Sequence, residues 1–326
     1  MSRPVFSVRG LSVAFRRQRG LQGVVEGVSF DLVAGETVAL VGESGSGKSV
    51  TALALMGLLP ASKAVTRADS IRLAGRELSE LDARAWRQVR GKEMAMIFQE
   101  PSTALDPVFT AGSQIMRALR RRRAQTHKAA AGEALRALEA VGFPDPDEVF
   151  NTYPHQLSGG MRQLVMIAMA MVVRPRVLIA DEPTTALDVT TQSLIIEKLE
   201  ALQREQGTAI LLVTHDLGVA ARCCRQALVM YCGRLVEEAP YAQLFREPRH
   251  PYTRGLLRAI PRIGDGRPPP IAAIPGRVPS LSEWPVGCHF AARCERADDE
   301  CRKRFPPTVG IGDSRVACYH PLGDGN

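Results

Sequence analysis

Short, wholly apolar runs alternate with stretches of helical periodicity along the first three quarters of the chain. Thr37–Val41, Val177–Ala180 and Ala209–Val213 are too short for buried helices and rich in β-branched residues, so they predict strands buried on both faces. Helical patterns stand between them: Val50–Leu59, Leu164–Val173, and residues 128–142, where Ala134, Leu135, Leu138 and Val141 share one face. Gly142 and the Pro144-Asp-Pro146 turn end the last of these. Strands alternating with helices predict an α/β fold with a mostly parallel sheet. The first 35 residues differ, since Val5–Val8 and Val24–Leu32 alternate apolar with polar and predict a separate antiparallel β layer. No internal repeat is present. The regular pattern thins near residue 245, and 13 of the 22 prolines lie in 240–326, including Pro268–Pro270. The chain therefore divides into a domain at 1–245 and a Pro-rich extension at 246–326.

Composition adds few constraints. With 326 residues, 45% hydrophobic and 23% charged, the chain has the make-up of a folded globular protein. Its longest apolar stretches fall short of the roughly 18 residues that span a bilayer, and Met1–Arg9 lacks the apolar core of a secretory signal. A cytoplasmic location is expected. The net charge of +8 suits an anionic partner, but no interleaving of basic and aromatic residues marks a nucleic-acid surface. The Arg120–Arg123 run reads as a solvated helix face.

Gly42, Glu43, Ser44, Gly45, Ser46, Gly47, Lys48 and Ser49 match the phosphate loop G-x-x-x-x-G-K-[ST], directly after one predicted strand and before one predicted helix. Glycines there turn backbone N–H groups onto phosphate oxygens and the helix N-terminus adds positive potential. Lys48 would reach the β/γ-phosphates and Ser49 would ligate Mg²⁺. The strand Val177–Ala180 runs into Asp181 and Glu182, placing two carboxylates at the sheet edge where open α/β sheets bind ligands. Asp181 is placed to hold the Mg²⁺ shell and Glu182 to polarise an attacking water. Leu157-Ser-Gly-Gly-Met-Arg-Gln163 precedes an apolar helix whose first turn would offer the Ser158, Gly159 and Gly160 amides to an anion, a second phosphate-binding device.

The three motifs, in this order, resemble those of the ABC ATPase family, with Leu157–Gln163 as its signature. The resemblance implies further roles. Gln99 is similar to the glutamine that senses Mg²⁺ and the attacking water, and Asp188 to the loop that crosses the dimer interface. His215 resembles the switch histidine that contacts the γ-phosphate, and Phe15 the aromatic that stacks on adenine. Only 109 positions separate Lys48 from Leu157, leaving no room for the coiled-coil arm of DNA-repair and chromosome-organising members, and the chain carries one cassette rather than two.

Met94–Pro107, Tyr153–Gln156, Ile179–Val189 and His250-Pro-Tyr-Thr-Arg-Gly-Leu-Leu257 resemble the oligopeptide/dipeptide importer ATPases. Met161 and Leu164 depart from that pattern, standing where many relatives have glutamine and arginine. The resemblance implies an ATP- and Mg²⁺-dependent subunit at the cytoplasmic face of the cell membrane. It implies as partners a second ATPase, in most relatives a different chain, two transmembrane permease subunits and, indirectly, an extracytoplasmic substrate-binding protein, with no nucleic acid. An importer of another small solute is the alternative, and a soluble ABC ATPase acting on ribosomes or nucleic acid is the rival from a different class.

Seven cysteines are present. Cys288, Cys294, Cys301 and Cys318 follow C-x5-C-x6-C-x16-C in the Pro-rich extension, and a segment with so little core needs a staple. Disulfides are disfavoured in the cytoplasm, so four thiolates on a metal centre are the economical reading. The closely paired ligands of structural zinc are absent, while an iron–sulfur cluster accepts wider spacing. An iron–sulfur cluster, such as [4Fe-4S], zinc and free thiols stay open as readings. Cys223, Cys224 and Cys232 read as buried packing residues.

Overall fold

The computed structural model describes residues 3–18, 20–185, 187–260 and 274–323. Pro268–Pro270 lies outside them. The chain forms two compact units from interleaved segments: one gathers Asp31–Thr37 and Arg72–Leu212, with the chain up to Phe6; the other gathers Ser7–Phe30, Val38–Ile71 and the chain from Val213 onward.

In the first unit the strands Met94–Ile97 and Val177–Asp181 pair in parallel, from Met94 opposite Val177 to Ile97 opposite Ala180, and Ala209–Thr214 follows in strand order. Val177–Ala180 has no exposed side chain, which is why its sequence shows no alternation. Helices Ala111–Arg122, His127–Ala140, Pro146–Asn151 and Gly159–Val173 pack together beside these strands. Each begins at a residue whose side chain accepts an amide of its own first turn: Thr110, Thr126, Asp145 and Ser158. The helix expected at Leu164–Val173 thus starts at Gly159, because the Ser158 cap offsets the poor helix propensity of two glycines.

The second unit orders its strands Thr308–Ile311, Ser314–Ala317, Arg234–Pro240, Gln226–Tyr231 and Thr37–Val41. Gln226–Val229 runs parallel to Val38–Val41, and the remaining pairs are antiparallel. The expected antiparallel layer is present, but its first two strands are longer than the alternation suggests: Phe6–Arg17 and Gly20–Leu32. Hydroxyls bridge the polar interruptions and keep the ladder intact, Ser29 accepting from the Gly10 amide (2.9 Å) and Ser12 from the Gly27 amide (3.0 Å). Ala64–Arg67 pairs with the first of them, from Ser12 opposite Arg67 to Phe15 opposite Ala64. The helix expected at Val50–Leu59 spans Lys48–Leu55.

The C-terminal region is built into this second unit. Its Thr308–Ala317 hairpin extends the sheet through Glu237 opposite Val316, and Tyr252 and Phe290 join Tyr231 in an aromatic cluster with ring centroids 4.6–5.3 Å apart. The buried Glu237 carboxylate accepts the Arg249 amide on one oxygen (2.7 Å) and the His250 amide on the other (2.8 Å), fixing the entry to the helix Pro251–Arg258. Burial raises its pKa. No helix among the described residues is long and apolar enough to cross a membrane.

Glutamine at 237 would turn an N–H₂ toward one of those two amides. Glu237→Gln is expected to lower the unfolding free energy by about 1–3 kcal/mol, the cost of an unmet buried donor, read from urea denaturation.

Candidate functional site

The phosphate loop lies in the second unit, between the buried strand Thr37–Val41 and the helix Lys48–Leu55. Gly42 has φ +154°, and a Cβ there would lie 2.2 Å from the Met230 carbonyl oxygen, so this strand end admits no side chain. Lys48 is buried, with Nζ donating to the carbonyls of Gly42 (2.8 Å) and Glu43 (3.0 Å). The loop is braced from behind by the Gly233 amide on Ser46 O (2.8 Å) and by the Glu43 amide on the Tyr252 hydroxyl (2.8 Å). Ser46 Oγ is buried with no protein partner, an orphaned polar atom of the kind a phosphate oxygen satisfies. Phe15 and His215 belong to the same unit. Phe15 continues the buried face of Leu11 and Val13 but is half-buried, leaving ring surface available for stacking, and His215 is exposed just past the strand end Thr214.

The carboxylates lie in the first unit. The parallel register carries Gln99 and Glu182 two residues beyond the pair Ile97–Ala180, and there Gln99 Nε2 donates to Glu182 Oε2 (3.0 Å). Thr185 Oγ1 donates to the same oxygen (2.9 Å). Glu182 is held at φ +46°, a left-handed conformation costing a side chain roughly 1–2 kcal/mol, which turns the chain sharply after the buried Asp181. Two donors therefore fix the carboxylate in a strained turn, a conformation that persists only where its surroundings hold it.

The signature residues frame a helix N-terminus in that same unit. Leu157 is buried; Ser158 Oγ accepts the Met161 amide (3.3 Å), and Gly159 and Gly160 form the first turn. A Cβ on Gly160 would lie 3.3 Å from Thr191 Cγ2, while one on Gly159 would meet nothing within 4 Å. Asp188 caps the next helix through the Thr191 hydroxyl (2.7 Å) and amide (3.0 Å), bonds that lower its pKa. Gln163 is buried, with Nε2 unpartnered.

Cys288, Cys294, Cys301 and Cys318 line one small cavity of the second unit, together with His250 and Phe290. None of the four is in a disulfide. Burial raises each of them, Cys288 to about 11 and Cys318 to about 12, and the neighbouring thiols add to the rise at both. Cys294 and Cys301 rise for the same first reason. Burial holds His250 neutral, its pKa pushed down to about 3; Nδ1 accepts the Tyr252 amide (3.0 Å), so Nε2 carries the proton, buried and without a partner. The one set of three or more metal-type donor atoms within 4.8 Å of one another, among the described residues, is Asp298, Cys301 and His320 rather than a cluster of thiols. Of the other cysteines, Cys232 is buried as expected, whereas Cys223 and Cys224 are only half-buried.

Comparison with known proteins supplies the class. Residues 25–185 match the family described as ABC transporter, and residues 236–301 match the oligopeptide/dipeptide transporter C-terminal region. The dimeric ABC transporter cassette MJ0796 is similar in structure, with TM-score 0.64 and 26% identity over 72% of this chain and 98% of that one. The chain belongs to the ABC transporter ATP-binding proteins, in their oligopeptide/dipeptide branch. Among its relatives are a putative peptide import ATP-binding protein of Brucella melitensis, 46% identical over 95% of each chain, and the oligopeptide transport ATP-binding protein AppD of Bacillus subtilis, 47% identical over 97% of this chain and 96% of that protein. The dipeptide transport ATP-binding protein DppD of Haemophilus influenzae is 44% identical over 98% of this chain and 96% of its own length.

Sequence reasoning missed three supporting residues. Thr185 stands three positions past Glu182, a spacing that signals the contact; Tyr252 lies inside a quoted motif without an assigned role; Arg293, which pairs with Glu43, carries no signal beyond lying next to Cys294.

Gly42→Ala would drive its Cβ against the Met230 carbonyl oxygen. It is expected to destabilise the protein by about 1–3 kcal/mol and to abolish nucleotide binding, checked by thermal unfolding and ATP titration.

Proposed function

We propose that this protein is the ATP-hydrolysing subunit that energises import of di- and oligopeptides across the cytoplasmic membrane. The observation that carries the chemistry is the Gln99–Glu182–Thr185 arrangement, which holds a candidate base in one orientation. The cargo class is supported by the names of relatives alike over nearly the full chain.

In this reading Gly42–Ser49 binds the ATP phosphates, with Lys48 leaving its resting carbonyls for the β/γ-phosphates, and Phe15 stacks on adenine. Mg²⁺ suits the hard oxygen donors of Ser49, Gln99 and Asp181, and when bound neutralises phosphate charge. Glu182 takes the proton of the attacking water and His215 contacts the γ-phosphate. Leu157–Gln163, with Ser158, Gly159 and Gly160 at its centre and Asp188 beside it, serves the nucleotide of a second ATPase, a different chain. The subunit sits peripherally at the cytoplasmic face on two permease subunits, supplied by an extracytoplasmic substrate-binding protein. Residues 1–245 are the nucleotide-binding domain and 246–326 the extension.

The four cysteines hold an iron–sulfur cluster, [4Fe-4S], in this proposal. Zinc at about 2.3 Å from each sulfur needs thiols roughly 3.8 Å apart, and among the described residues no trio of cysteine sulfurs lies within 4.8 Å of one another. A larger group, rich in sulfur acceptors, also gives the orphaned His250 N–H a partner. The cluster stabilises the region without entering hydrolysis.

Two tests follow from this reading. In the assembled transporter, Glu182→Gln is expected to keep ATP affinity and slow hydrolysis by about 10²–10⁴-fold, with peptide uptake into vesicles lost in parallel; turnover at the parental rate would move the base elsewhere. Anaerobically purified protein is expected to be brown, to contain iron and sulfide, and to lose both when any of the four cysteines becomes serine. Stoichiometric zinc without sulfide would overturn the cluster.

A further inference from the structure

The cysteine cavity and the phosphate loop lie in one unit, and two short connections join them. Arg293 directly precedes Cys294. Its side chain is only 5% exposed and grips the Glu43 carboxylate with both arms of the guanidinium, Nη1 to Oε2 at 2.7 Å and Nη2 to Oε1 at 3.1 Å. Burial opposes that charge, yet the bonds to Glu43 and to the Tyr231 hydroxyl hold its pKa above the ordinary range. The second connection starts at His250, which lines the cysteine cavity; two residues on, the Tyr252 hydroxyl accepts the Glu43 amide.

Glu43 is therefore held by its carboxylate and by its amide, both from the C-terminal region. A phosphate loop works by aiming backbone amides, so whatever fixes its first turn fixes the site. Lys48 depends on the same residue, since Nζ rests on the Glu43 and Gly42 carbonyls. Bidentate pairing adds direction that a single point charge would not give.

We propose that Arg293 and Tyr252 are positioning residues that pass the occupancy of the four-cysteine cavity to the phosphate loop, so that a loaded cavity tightens nucleotide binding. The proposal rests on reading the four cysteines as a metal site. Coupling of this kind is reciprocal, so bound nucleotide also steadies the metal.

The test compares ADP affinity, by titration calorimetry on the full chain in its assembled complex, before and after the metal is stripped anaerobically with a chelator and oxidant. The parent is expected to lose roughly 5–10-fold in affinity on stripping. Tyr252→Phe, which removes one oxygen and keeps the ring, and Arg293→Lys, which keeps charge but not the fork, are expected to start weaker and lose less. The Arg293→Ala/Tyr252→Phe pair is expected to lose nothing further. A double variant that drops as far as the parent, or a metal-loaded parent indifferent to stripping, would overturn the coupling while leaving the metal reading intact. Absence of metal in the protein as purified would overturn the metal reading and the coupling with it. Parental ADP affinity in Arg293→Lys and Tyr252→Phe would separately overturn the positioning roles.

Discussion

The parallel register between Met94–Ile97 and Val177–Ala180 is the constraint on which the Gln99–Glu182 contact, and the function proposed for it, depends. Side chains alternate across a strand, so a slip of one residue would send Gln99 and Glu182 to opposite faces and separate the amide from the carboxylate. The register is secured by burial rather than by polar pairing, because Val177–Ala180 has no exposed side chain and any slip would move tightly packed apolar groups. Hydrophobic packing thus positions a hydrogen-bonded pair that is itself polar and partly exposed.

Most of the fold was legible because its strands are buried on both faces and so short that no helix could use them; Thr37–Val41 appears in the structure with the bounds its sequence predicts. The long strands of the β layer were less legible. Polar residues and glycines at positions 9–10 and 27 break the alternation, and only the three-dimensional pairing of Ser12 and Ser29 with those glycine amides shows that the ladder continues. The site divides in the same way. Motif residues with fixed spacing could be read from the chain, whereas Arg293 lies 250 positions from the carboxylate it grips, a contact with no local pattern to announce it.

The C-terminal region looks sparse in apolar residues, yet it contributes substantially to the core. Tyr252, Phe290 and the buried cysteines pack on Tyr231 and Val236, while Glu237 spends both carboxylate oxygens on its backbone. Polar anchoring and aromatic packing do there what continuous aliphatic periodicity does elsewhere in the chain. The proline content that marks this region in the sequence reports its irregular path rather than any lack of tertiary contacts.

The interleaving of segments has a consequence for synthesis. Val38–Val41, the strand that feeds the phosphate loop, pairs with Gln226–Val229, and the Glu43 side chain waits for Arg293. A ribosome emits the loop long before either support, so the nascent chain carries a nucleotide motif with no frame to hold its shape. Such long closures fold slowly and expose apolar strands meanwhile. Competence to bind ATP therefore arrives late, after Arg293 has been made, and a product truncated before it would present the motif without the activity.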